Sequence, residues 1–138
     1  MSESPDPLAG LRRQYHLMPD DDGRKAWDVH RLIELSAELP IEQVPLADIG
    51  EVDTVYWFDA DHHRPTVRAV IEHAQLISDT DLSYPIILGE DGRVMDGMHR
   101  VCKALIEERS TIAARRFPVD PEPDHRNCHP ADLDYSER

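Results

Sequence analysis

The sequence predicts a compact α+β domain with a small mixed sheet and three or so helices. Three observations lead there. Short β-branched and aromatic runs alternate with segments of helical periodicity, instead of the chain keeping to one class. The tetrapeptide Gly89-Glu90-Asp91-Gly92 separates two short apolar runs, which is the chemistry of a hairpin turn. At 138 residues the chain suits one domain that can bury a core without metal or disulfide staples.

Residues 1–23 are rich in Pro, Asp, Ser and Gly and read as a flexible N-terminal arm. The domain itself is expected over residues 24–118. In residues 25–39, KAWDVHRLIELSAEL, the residues Val29, Leu32, Ile33, Leu35 and Leu39 recur at helical spacing, and Pro40 ends the run. A short extended segment follows around residues 43–46. The β-branched and aromatic run over residues 54–58 predicts a second strand. After DADHHRP, Pro65 opens an amphipathic helix that gathers Val67, Val70, Ile71, Ala74 and Ile77 on one apolar face. The hairpin then pairs residues 86–88 with 93–95. A helix over residues 97–108 and a last strand over 111–117 complete the domain. Residues 119–138 are dense in Pro and Asp and read as a tail that packs on the domain or trails from it. No internal repeat is present.

The formal net charge of -13 argues against general binding to nucleic acid, which needs a basic surface. A local basic site survives in an acidic chain, because screening limits distant charges to about 10 Å at moderate salt. No apolar run approaches the roughly 20 residues that span a bilayer. The first residues, MSESPDPLAGLRRQYH, lack the apolar segment of a secretory signal. The expectation is therefore a cytoplasmic protein without a membrane partner. A homodimer is compatible with the sequence. The two cysteines, Cys102 and Cys128, imply no disulfide framework, and Cys102 falls in an apolar helical stripe as a buried thiol.

The chemistry-bearing segment is Asp96-Gly97-Met98-His99-Arg100, where the second hairpin strand gives way to a helix. The free N–H groups of a helix's first turn carry partial positive charge and form a natural anion cradle. Gly97 permits a sharp turn and close approach of an anion. Asp96 occupies the place of an N-cap. Along the helix, Met98, Val101, Cys102 and Leu105 make an apolar face, while His99, Arg100, Lys103 and Glu107 share the opposite arc. Arg100 offers a planar fork matched to phosphate oxygens, and Lys103 adds an ammonium. A capped surface helix with a solvated basic face has the same pattern, so spacing leaves both readings open.

The stretch YPIILGEDGRVMDGMHRVCKALIEERSTIAARRF resembles the ParB/sulfiredoxin-like superfamily, whose members place a [D/G]G-x-[H/R]R signature between a hairpin and a helix. The resemblance extends from about residue 44 to residue 117 and includes EQVPLADI and the helix after Pro65. It implies a site for nucleotide phosphates (ATP, ADP or CTP, with magnesium), in which Gly97, Met98, His99 and Arg100 match the phosphate-contacting signature. With it come phosphoryl transfer or nucleotide hydrolysis as the reaction classes, and Asp96 and His99 as catalytic candidates. The form DGMHR looks closest to the DG-x-HR branches. Two departures narrow this. The reactive cysteine of sulfiredoxins is replaced by Met98, a thioether that cannot serve as a thiolate nucleophile, which argues against thiol chemistry. Partition proteins carry an arginine-rich signature and a further helix-turn-helix domain, which the short acidic remainder of this chain does not match. A non-catalytic acidic interaction or regulatory module is the alternative from another class. A nuclease or a partition-related protein is the weaker one.

Other constellations carry less. Asp59, Asp61, His62 and His63 crowd one loop and suit either a divalent metal or a polar helix approach. His73 reads as a surface or capping residue. His125, Cys128 and His129 supply three zinc-type ligands where a structural site wants four. Glu34 and Glu38 share a helical face. Trp27, Tyr56, Trp57 and Phe58 suit core or rim packing, or stacking on a base.

Overall fold

A computed structural model describes residues 15–20, 23–61 and 63–128. Seven strands and three α-helices lie among them: β1 (Tyr15–Asp20), β2 (Gly23–Asp28), α1 (Val29–Ser36), β3 (Glu42–Pro45), α2 (Val67–Asp79), β4 (Ile86–Leu88), β5 (Val94–Asp96), α3 (Met98–Ile106), β6 (Thr111–Arg116) and β7 (His125–Cys128). The fold is α+β, as the sequence predicts. One sheet is mixed, in the order β3-β6-β4-β5, with β4 parallel to β6 and the other pairs antiparallel. A second, antiparallel sheet has the order β1-β2-β7.

Strand β4 shows how the layers form. All three of its residues are buried, which is the pattern of a strand covered on both faces. Ile86 and Leu88 join Val44, Val94, Val101, Ala104 and Ile112 in the main core beneath α3. Ile87 points the other way and joins Trp27, Leu32, Met95 and Phe117 in a second cluster under α1 and β2. The period-two alternation of a strand makes three consecutive residues serve two cores.

Several expectations are corrected. Residues 15–20 and 23 are part of a hairpin, not of a loose arm: Leu17 pairs with Ala26 and Tyr15 with Asp28. The first helix starts at Val29 and ends at Ser36, because residues 23–28 are taken by β2 and the Asp28 side chain caps the helix by accepting from the His30 N–H at 2.9 Å. The C-terminal tail packs on the domain as far as it is described. Trp27 Nε1 donates to the Pro121 carbonyl at 2.8 Å, and the Asp124 carboxylate accepts the Asp28 N–H at 2.7 Å. Residues 54–58 form no strand. Strand preference is realised only against a partner edge, and here Trp57 and Phe58 pack on histidine rings while Tyr56 meets Trp57 edge-on.

Helix α2 is the largest departure. It starts one residue after its Thr66 cap, but its apolar stripe does not face the core. Val67, Val70 and Ile71 remain 78%, 49% and 60% exposed, and Ala69 is the buried position. The helix rests on α3 through the arc that carries Ala69 and His73. Substituting Val67 and Ile71 by serine is therefore expected to change the unfolding free energy by under about 0.5 kcal/mol each, measured by urea denaturation, where a core position would lose several times as much.

Candidate functional site

Strand β5 ends at Asp96, and Gly97 turns the chain into α3 with φ 110°, the left-handed region. Gly97, not Asp96, is the N-cap, and no side chain caps the helix. By contrast, α1 and α2 are capped by Asp28 and Thr66. The first-turn N–H groups of α3 thus face the mouth of the β5–α3 turn without a side-chain acceptor.

Asp96 is diverted to another task. Its carboxylate accepts from Arg100 Nη2 at 2.8 Å, and both side chains are mostly buried. Arg100 Nη1 donates to the carbonyls of Tyr84 and Pro85 at 3.1 and 2.8 Å. Arg100 therefore ties the start of β4 to the end of β5, and its guanidinium is shared among three acceptors before any ligand arrives. Arg100→Ala is expected to destabilise the domain by about 2–3 kcal/mol in urea denaturation, because it leaves the Asp96 carboxylate and two carbonyls without their donor. Lys103 is likewise engaged. Its ammonium donates to the carbonyls of Ser78 and Thr80 at 3.0 and 2.7 Å, at the end of α2 where such a cation opposes the helix dipole. Of the basic side chains that the sequence gathers here, Arg100 and Lys103 build the scaffold.

His99 is the side chain with reactive potential. It belongs to a stack that sequence spacing does not reveal. Trp57 lies over the rings of both His73 and His99, with centroids 4.3 and 4.5 Å away and interplanar angles of 19° and 13°. Phe58 stacks on His63 at 5.1 Å and meets His73 edge-on. Burial is the main reason the His99 pKa is pushed down to about 4, with His73 and Arg100 adding to it. The His73 pKa is also lowered, first by burial and then by His63. Both rings are neutral at physiological pH. Tyr56 donates a long hydrogen bond to the Val94 carbonyl at 3.4 Å, and burial, with Glu51 and Asp96, pushes its phenol up to about 12. It stays protonated.

The remaining candidates fall into place around this stack. The Met98 side chain is buried in the main core, so it packs there and leaves the residue only its backbone N–H for a ligand. Cys102 is half-buried against the same core, and burial raises its thiol pKa, which further disfavours thiolate chemistry. In the 59–63 loop, Asp59 Oδ1 accepts the N–H groups of Asp61 and His63 at 2.8 and 3.1 Å, and the Asp59 N–H donates to the His63 carbonyl at 2.9 Å. This ring of bonds fixes the backbone that presents His63; His62 lies outside the described residues. Among the described residues no group of three or more His, Cys, Asp or Glu side chains is placed to hold a metal ion. His125 and Cys128 lie on β7, where the Cys128 thiol contacts the Arg24 carbonyl, and His129 is outside the described residues.

No family model matches the chain, and no curated protein or solved structure is significantly similar to it. The site is therefore read from its own geometry. Among the described residues no helix is long and apolar enough to cross a membrane.

Proposed function

We propose that the chain binds the phosphate groups of a nucleotide or another phosphorylated small molecule at the first turn of α3, in the manner of the ParB/sulfiredoxin-like proteins it resembles, in a cytoplasmic setting. The observation that carries this reading is the start of α3 at Gly97 without a side-chain cap. Uncapped N–H groups at a helix N-terminus prefer an anion. The nearest carboxylate, Asp96, is held by Arg100 at 2.8 Å, so it does not repel an incoming phosphate. Gly97, Met98, His99 and Arg100 contribute through their backbone N–H groups and through the His99 ring. Arg100 and Lys103 position the turn and its neighbouring helix. ATP, ADP and CTP are the ligands to test, each with magnesium carried on the nucleotide.

If the bound ligand reacts, phosphoryl transfer or nucleotide hydrolysis is the class. In such reactions the protein mainly positions and neutralises the phosphoryl group. The neutral His99 imidazole is suited to accept the proton of an attacking hydroxyl or water. Asp96, already bonded to Arg100, is suited to holding the turn rather than to proton transfer.

Calorimetric titration of ATP, ADP and CTP with magnesium, with amide shifts followed by NMR, tests the reading. A dissociation constant near or below ~1 mM is expected for at least one nucleotide, with the largest shifts at Met98, His99 and Arg100. No heat with any of the three at millimolar ligand, or shifts confined elsewhere, overturns it. A second reading, a non-catalytic interaction module, is favoured by the exposed face of Val67, Val70 and Ile71. It predicts partner capture that nucleotides do not alter and that Ile71→Glu abolishes.

A further inference from the structure

His73 spends both ring nitrogens on other histidines. Its Nε2 lies 2.9 Å from His63 Nε2, and its Nδ1 lies 2.9 Å from His99 Nε2. Each contact needs one protonated and one bare nitrogen, and a neutral imidazole has one of each. Three neutral rings in series therefore have two self-consistent states. In the first, His99 Nε2–H donates to His73 Nδ1, and His73 Nε2–H donates to His63 Nε2. In the second, both bonds are reversed. We propose that His99, His73 and His63 form a proton relay between the first turn of α3 and the 59–63 loop. This rests on reading that turn as the site of a reacting phosphorylated ligand.

One passage balances as follows. The relay starts in the first state, with His99 Nδ1 bare and His63 Nδ1 protonated. The attacking hydroxyl or water gives its proton to His99 Nδ1 as its oxygen bonds to phosphorus, and the bond from phosphorus to the bridging oxygen breaks, that oxygen keeping the electron pair and leaving as the nucleoside phosphate anion. The proton on His99 Nε2 moves to His73 Nδ1, and the proton on His73 Nε2 moves to His63 Nε2. His63 releases its Nδ1 proton to solvent. One proton enters and one leaves, each ring ends neutral, and the chain stands in its second state until the rings reset.

Three features favour transfer along this path over simple packing. The rings are held by Trp57 and Phe58, which fix their planes. Burial and the neighbouring rings keep His73 and His99 neutral, with Arg100 on α3 adding to this at His99 and Glu72 on α2 acting the other way at His73, so each ring keeps one bare and one protonated nitrogen. The partners of His73 sit on its opposite nitrogens, so the three rings lie end to end. They do not converge on one point as ligands of a single metal ion would.

The test uses the full chain labelled with ¹⁵N-histidine. At neutral pH the relay predicts neutral His73 and His99, and nitrogen–nitrogen couplings across both hydrogen bonds in the wild type. In His73→Gln both couplings disappear and the His99 nitrogen shifts move. With the nucleotide that binds best, His73→Gln is expected to slow turnover about 100-fold at unchanged KM, with partial rescue by added imidazole. His63→Gln is expected to give a smaller loss and fuller rescue, because it is the terminal ring and water can take the proton from His73 in its place. Absent couplings, or His99 shifts indifferent to His73→Gln, overturn the relay even when nucleotide binds. Couplings present in a protein that binds no nucleotide overturn the ligand reading instead.

Discussion

Gly97→Ala is expected to lower the unfolding free energy by about 4 kcal/mol, through two separate terms. The first is backbone strain. With φ at 110° the residue sits where an L side chain is disfavoured. The second is overpacking. A Cβ built on Gly97 would lie 2.6 Å from Ile86 Cγ2 and 3.0 Å from Ile86 Cβ, and Ile86 is fully buried in the main core with nowhere to retreat. Urea denaturation checks the value, and the melting temperature should fall by roughly 10 °C or more. Gly50→Ala is the control. Nothing lies within 4 Å of a Cβ there, so its change should stay within about 0.5 kcal/mol. A Gly97→Ala loss no larger than the control would mean that the turn rearranges freely. The prediction also bears on function. This glycine is demanded by the packing of β4 against the β5–α3 turn whether or not a ligand binds. The anion reading therefore rests on the uncapped N–H groups that the turn exposes, not on the presence of glycine.

The part of the fold legible in the sequence is the part held by local interactions. From β4 through β6, a turn with Asp91 and Gly92 leads into Gly97, and each signal acts on residues within a few positions. What the sequence hid is long-range. Strand β2 lies in a segment with helical spacing, and it becomes a strand because β1 and β7 pair with its edges. The same pairing draws residues 15–20 out of a composition that reads as disorder. Helix α2 has a clear apolar stripe, yet the helix turns His73 toward α3 because His99 and Trp57 wait there. Hydrophobic spacing reports which face is apolar, not which face is covered. The site divides in the same way. The position of the α3 turn was readable from Asp96-Gly97. The roles of Arg100 and Lys103 were not, since their acceptors are carbonyls of β4's approach and of α2's end. The histidine chain joins residues 10 and 26 positions apart. The only sequence signal for it was an aromatic run followed by scattered histidines.

Acidification from pH 6.5 toward 4.5 is expected to remove about 3 kcal/mol of stability, most of it above the range in which carboxylates titrate. Two histidines dominate. Burial is the largest cause in both, and it pushes His16 and His99 down from 6.5 to about 4. His73 is lowered as well, again chiefly by burial. The sign follows from proton counts. Above pH 6.5 these rings are neutral in both folded and unfolded chains, so their contribution is fully present. Between 6.5 and 4 the unfolded chain takes up protons that the folded chain refuses, and stability falls with pH at up to ~1.4 kcal/mol per unit for each fully shifted group. His99 is partly exposed, so its share is discounted by about half. Below 4 the folded rings protonate too and this slope ends. Asp81 acts in a lower window. Hydrogen bonds from Ser83 hold its carboxyl below the ordinary 3.8, so its contribution fades only under about pH 4. Urea denaturation at half-unit steps of pH measures the slope, and His16→Phe and His99→Gln should each flatten it. Stability that is level or rises as pH falls through this window would mean that the folded rings take up protons at least as readily as the unfolded ones. The neutral histidine chain and the relay built on it would then lose their physical basis.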